Sequence, residues 1–156
     1  MPPAFEIALV PESEKSQLWR ELQDYLAELS RLSGKPLAGE FPYRYFDRYW
    51  QEPNRWPFWI KSPGRRAGFA LVRKRDDGVF DMAEFYIRPE NRRGGIGTGI
   101  ARALFARFSG RWHVSEMIEN SAAIAFWRRV LDGFVPYNEA ANSEHVEQTF
   151  EMPRSE

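Results

Sequence analysis

The chain has 156 residues, 43% of them apolar and 15% aromatic, with 22 basic and 22 acidic side chains and no cysteine. That length suits one domain, which at this size buries roughly 70% of its unfolded surface and needs no metal or disulfide staple. Balanced charge argues against a nucleic-acid binder that relies on bulk positive charge, and the missing cysteine excludes disulfide scaffolds, cysteine-based metal sites and a thiol nucleophile.

Residues 4–10 alternate loosely and stop at Pro11, a short first strand. Acidic Glu12 and Glu14 then favour a helix start, and Leu18, Leu22, Tyr25, Leu29 and Leu32 form one helical stripe ended by Ser33-Gly34. Residues 41–59 carry nine aromatic side chains in nineteen positions. Tyr45, Tyr49 and Phe46 suit a short helix ended near Pro53, and Trp56, Phe58 and Ile60 alternate as a strand. Residues 66–72 and 79–87 read as two more strands around the turn signal Asp76-Asp77-Gly78, which completes an antiparallel meander.

The period then changes. Ile96, Ile100, Leu104 and Phe108 mark an amphipathic helix ended by Ser109-Gly110. Trp112 and Val114 make a strand, residues 121–131 a helix, and residues 134–137 and 146–152 two final strands. The order β–α–α–β–β–β–α–β–α–β–β describes one mixed α/β (α+β) domain, 1–156, with a strand–helix–strand crossover set among antiparallel pairs. No uncharged apolar run approaches the roughly 20 residues that span a bilayer, and no basic n-region opens the chain, so a soluble cytoplasmic protein is expected.

The strongest chemical signal is Arg92-Arg93-Gly94-Gly95-Ile96-Gly97-Thr98-Gly99, between a strand and a helix. Glycines at this density lose much chain entropy on folding and make sense where backbone approaches a ligand. Unpaired N–H groups at a helix start attract anions, and the arginines add countercharge, so a phosphate-bearing ligand is expected. A nucleoside-triphosphate loop needs G-x-x-x-x-G-K-S/T, but the last lysine is Lys74. The dinucleotide fingerprint fits weakly: Ile100 stands where its third glycine belongs, and its ribose acid would have to be Glu116 or Glu119.

The pattern R/Q-x-x-G-x-G/A, carried by residues 92–97, does fit. Glu84-Phe85-Tyr86-Ile87-Arg88-Pro89 precedes it, Asn120-Ser121-Ala122-Ala123-Ile124-Ala125-Phe126-Trp127 follows it, and Gly133-Phe134 comes last. In these motifs, over residues 80–134, the chain resembles the GNAT superfamily of acyl-CoA-dependent N-acetyltransferases. The resemblance implies acetyl-CoA as cosubstrate and an amine acceptor, with no nucleic acid or membrane partner; homodimerisation stays open. It places the pantetheine arm along Phe85 to Ile87 and the pyrophosphate on the backbone of Arg93, Gly94, Gly95, Ile96, Gly97 and Thr98, flanked by Arg92. Asn120 would bond the pantetheine chain and Phe126 would pack on the cofactor. A backbone N–H near Ile87 would polarise the thioester carbonyl.

Amine acetylation by direct attack needs a base for the amine and a proton for the departing thiolate. The resemblance makes Glu84 the candidate general base, since many members of the family place a glutamate on this strand, and its apolar neighbours could raise its pKa; an ordinary outward-facing strand carboxylate is the even alternative. His113 is a weaker base candidate on the next strand. The family commonly has a tyrosine acid where this chain has Trp127, whose indole cannot reprotonate a thiolate. Tyr86, Tyr137 or a water would substitute, or the thiolate would leave unaided. No spacing of His, Asp and Glu indicates a metal site. The expected activity is acetyl transfer from acetyl-CoA to a primary amine in a ternary complex, the alternative a non-catalytic acyl-CoA-binding or regulatory module. The aromatic block at 41–59 is balanced between core and acceptor contact.

Overall fold

A computed structural model describes residues 5–34, 39–92 and 95–154. Strand β1 (Glu6–Leu9) leads into helix α1 (Lys15–Leu32). The meander follows as β2 (Arg55–Ser62), β3 (Arg65–Lys74) and β4 (Phe80–Ile87). Helix α2 (Ile96–Arg107) crosses to β5 (Gly110–Met117), and α3 (Ser121–Leu131) precedes the hairpin β6 (Tyr137–Ala141) and β7 (His145–Met152). The seven strands form one sheet in the order β1-β2-β3-β4-β5-β7-β6. Every pairing is antiparallel except β4 with β5, the pair joined through the α2 crossover.

Alternation along the strands feeds two cores. Phe58, Ile60, Ala70, Val72, Trp112 and Val114 pack with α2 and α3 on one face. Trp59, Phe69 and Leu71 point the other way and pack with Leu18 and Leu22 of α1. The apolar stripe of α1 is thus satisfied by the sheet face opposite α2 and α3. No helix among the described residues is long and apolar enough to cross a membrane.

Two boundaries differ from the sequence expectation. The second helix of the expected order is a 3-10 helix, Phe46–Trp50, held between Pro42 and Pro53 with too few residues to repay helix nucleation. Its Phe46 and Tyr49 enter the α1 core, whereas Tyr45, expected on the same face, is exposed. The strand expected at 134–137 begins only at Tyr137: Phe134 and Val135 bond back to the Leu131 carbonyl and pack on the core as a turn.

One glycine in the sheet has no freedom to vary. A Cβ on Gly68 would lie 1.9 Å from the backbone oxygen of Tyr86, on the neighbouring strand β4. Neither backbone can yield without opening the β3–β4 ladder. Gly68→Ala is therefore expected to cost about 3 kcal/mol and lower the melting temperature by roughly 10 °C in calorimetry. A change of a degree or two would show that the strands can part there.

Candidate active site

The parallel strands β4 and β5 pair only at Phe80↔Trp112 and Asp81↔His113, and then diverge. A cavity of about 740 Å³ opens at this fork. Its walls are the free lengths of β4 and β5, the start of α2 on one side of the sheet, and Tyr25, Glu28 and Leu29 of α1 on the other. A parallel pair that splays exposes unpaired backbone N–H and C=O groups, so an extended amide chain can lie between the arms and take up their hydrogen bonds.

Glu84 reaches this cavity because of a bulge. Leu71 pairs with Glu84 but Val72 with Met82, so Ala83 has no partner on β3. The extra residue puts Ala83 and Glu84 on the same face, since Ala83 packs on the α1 core while Met82 and Phe85 pack on the α2–α3 core. The hydroxyl of Tyr25 donates to Glu84 Oε1 at 2.8 Å and that of Tyr43 to Oε2 at 2.7 Å. Burial raises the Glu84 pKa and the two phenols pull it back, with a net upward shift. The same burial, with Glu84 beside them, holds both phenol pKa values well above their ordinary value.

Tyr25 and Tyr43 are therefore part of the site, and the sequence reading assigned them to core and aromatic block. The only signal was the crowding of aromatics at 41–59. Tyr43→Phe removes one donor to the carboxylate and leaves it half-buried. The acid limb of any Glu84-dependent rate is expected to move up by roughly one pH unit, because the proton leaves Glu84 less readily. A pH–rate profile that drops evenly at all pH values would instead mark Tyr43 as a packing residue.

His113 also lines the cavity, but it is committed elsewhere. Its Nδ1 lies 2.6 Å from Asp81 Oδ1, its Nε2 is 3.4 Å from Glu147, and Asp81 also pairs with Arg73 at 3.0 Å. The Asp81 hydrogen bond raises the His113 pKa, and the contacts to Asp81 and Glu147 engage both ring nitrogens.

On the α2–α3 side, Phe85 stacks on Phe126 with centroids 5.6 Å apart, and Trp127 meets Phe85 edge-on at 5.2 Å. Gly95 caps α2 in the left-handed conformation (φ 74°) and supplies no side chain to the first-turn N–H groups, which stay available to an anion. Gly97 lacks a side chain for a second reason: a Cβ there would sit 3.1 Å from the Phe126 ring. Gly97, Thr98 and Ile87 line the cavity, whereas the Ile96 side chain packs on the core and leaves only its backbone for a ligand. Arg93 and Gly94 lie outside the described residues. Arg92 lines the cavity with its Nε donating to the Ile87 carbonyl at 2.8 Å and its Nη2 paired with Glu28 of α1 at 2.7 Å.

Asn120 reaches the cavity from the start of α3. Its Oδ1 accepts the Ala123 N–H at 3.1 Å as a helix cap, so its Nδ2 amide is the group left to meet a ligand. The acid substitutes separate. Tyr86 lines the cavity from the α1 side. Tyr137 stands outside it and donates to Asp132 at 2.8 Å. Among the described residues no group of three or more metal-ligating side chains occurs.

A forked parallel pair, with a glycine-opened helix start on one side of it and a half-buried carboxylate on the other, frames one cleft. The chain belongs to the acetyltransferase (GNAT) family, whose pattern matches residues 16–132. No curated relative matches it. Among solved structures it is similar to the ribosomal-protein-S18-alanine N-acetyltransferase of Escherichia coli, at 14% identity over 98% of this chain and 97% of that one, with a TM-score of 0.68. An acetyltransferase of Thermus thermophilus is similar at 15% identity over 96% and 97%, TM-score 0.70. So is the spermidine N-acetyltransferase of Vibrio cholerae, solved with CoA and spermine, at 9% identity over 94% of each chain, TM-score 0.68. At such identities the likeness establishes the fold.

Proposed function

We propose that the protein transfers acetyl from acetyl-CoA to a primary amine by direct attack in a ternary complex, with Glu84 as general base. The observation that carries this is the position of Glu84 at the fork, bulged onto the α1 face between Tyr25 and Tyr43 and opening into the same cavity as the start of α2. The pyrophosphate takes the first-turn N–H groups after Gly95, with Arg92 beside it once released from Glu28. The pantetheine arm runs along the free edge of β4 from Phe85 to Ile87, with the Asn120 amide bonding it and Phe126 as its apolar floor. The amine enters from the α1 side, where burial has raised the Glu84 pKa toward working pH.

The experiment is calorimetric titration with acetyl-CoA and CoA, followed by thiol release from acetyl-CoA with four acceptors. These are a polyamine, an aminoglycoside, an alanine-terminated peptide and a lysine peptide. Saturable binding with turnover of any acceptor supports the reading. Binding without turnover of any of them returns the acyl-CoA-binding module, and no binding at millimolar ligand removes both.

A further inference from the structure

The family resemblance leaves the thiolate without an acid, and the described phenols do not supply one on the cofactor side. Tyr137 is outside the cavity, Tyr86 packs on the α1 face, and Trp127 is wedged among Phe85, Phe105 and Phe126. A different group stands there. Three residues beyond the last β4–β5 pair, Asp81↔His113, each arm of the fork carries a glutamate: Glu84 on β4 and Glu116 on β5. Glu84 turns to α1. Glu116 shares the strand face of Trp112 and Val114, which pack with α2 and α3.

Glu116 lines the same cavity, yet is only 5% exposed. Its Oε1 accepts a hydrogen bond from Gln148 Nε2 at 2.9 Å, and its Oε2 is buried with no partner among the described residues. An ionised carboxylate would leave that oxygen unsolvated, which disfavours the charged form, whereas a neutral acid carries a proton to give. The surroundings add little countercharge. Gln148 of β7 is neutral, and Glu139 of β6 faces the site while held bidentate by Arg128 of α3. The other charged or titratable groups that line the cavity are Arg129, His145, His113, Asp81 and Glu84, with Arg92, Glu28, Tyr25 and Tyr86. Burial, with the Glu139 charge behind it, outweighs the Gln148 hydrogen bond, Arg128 and His113, and the Glu116 pKa is pushed up to about 7. The two glutamates are thus differentiated by their partners: two phenol donors favour the ionised form of Glu84, and an unpartnered oxygen favours the neutral form of Glu116.

We propose that Glu116 is the general acid of the reaction and gives its carboxyl proton to the coenzyme A thiolate. The step rests on the acetyltransferase reading above. The amine nitrogen bonds to the thioester carbon and its proton passes to Glu84. The carbon–sulfur bond then breaks, its electron pair goes to sulfur, and the sulfur takes the Glu116 proton. Release of amide and CoA lets solvent reprotonate Glu116 and deprotonate Glu84, so the cycle closes with no oxidant or further reactant.

The test compares the full chain with Glu116→Gln, using acetyl-CoA and whichever of the four acceptors turns over. CoA titration reports folding of the variant. The expected result is a kcat loss of about 100-fold with CoA affinity kept within about threefold, and loss of the alkaline decline that wild-type kcat shows above roughly pH 7. Infrared spectra of the free protein at about pH 6 should show a neutral-carboxyl band that Glu116→Gln removes. A variant within about threefold of wild-type kcat, a rate that falls evenly at every pH, or the absence of that band overturns the proposal. A wild type silent with every acceptor sinks the acetyltransferase reading and the proposal with it. An active wild type with an equally active Glu116→Gln sinks the proposal alone.

Discussion

Glu84→Gln is expected to lower kcat by about 10²–10⁴-fold while CoA affinity stays within about twofold, the range typical of removing a general base. The amide matches the carboxylate in size and can still meet Tyr25 and Tyr43, so the substitution removes basicity with little repacking. The pH dependence carries the sign. Burial raises the Glu84 pKa, so the active, ionised form gains ground only as pH rises through that raised value. Wild-type kcat/KM should therefore climb on the acid side, and the residual rate of the variant should lose that limb. A variant that keeps the limb at a reduced rate would move the base to another group, with His113 next to be tested. Buffered stopped-flow or endpoint thiol assays from about pH 5 to about pH 9 separate the two outcomes.

Gly95→Glu is expected to weaken acetyl-CoA and CoA binding by at least about 100-fold, through two independent effects. The backbone there sits at φ 74°, a region that L side chains enter at a cost of about 1 kcal/mol or more. The new carboxylate would project into open space at the start of α2, where a bound pyrophosphate would have to approach. Gly95→Ala carries the backbone cost without the charge, so it separates the two effects. Calorimetry at two salt concentrations adds a further check, since repulsion between anions weakens with screening and backbone strain does not. Equal affinities for wild type and Gly95→Glu would detach the glycine loop from the cofactor.

Much of the architecture is legible in the residues because it depends on local pattern. The four-residue spacing of Ile96, Ile100 and Leu104, the Asp-Asp-Gly turn and the stripe of α1 each name their element without help from elsewhere. The glycine loop announces itself for the same reason: its cost is local, and only a backbone-level purpose offsets it. The element that misled, the helix expected near Tyr45, failed because two prolines bound too short a segment. Phe46 and Tyr49 do face the core, while Tyr45, expected on the same face, is exposed.

The candidate site was legible in part. Glu84 and the cofactor-side residues could be named from motif order, but their partners could not. Tyr25 and Tyr43 are 59 and 41 residues from Glu84 in the chain, and converge on it only because α1 and the aromatic segment fold over the same sheet face. The single-residue bulge at Ala83 decides which face Glu84 takes, and in strand periodicity one unpaired residue inverts every assignment beyond it. Glu116 makes the same point. By sequence it was a poor fit to a ribose acid; in the fold it is a buried carboxyl at the fork, half-satisfied by Gln148. The sequence by itself determined most of the elements, the crossover and the family, all of which rest on short-range spacing and on residue types with local consequences. Only the tertiary structure decided which ionisable groups lost their water and which partners met them, because desolvation and hydrogen bonding depend on residues brought together from distant parts of the chain.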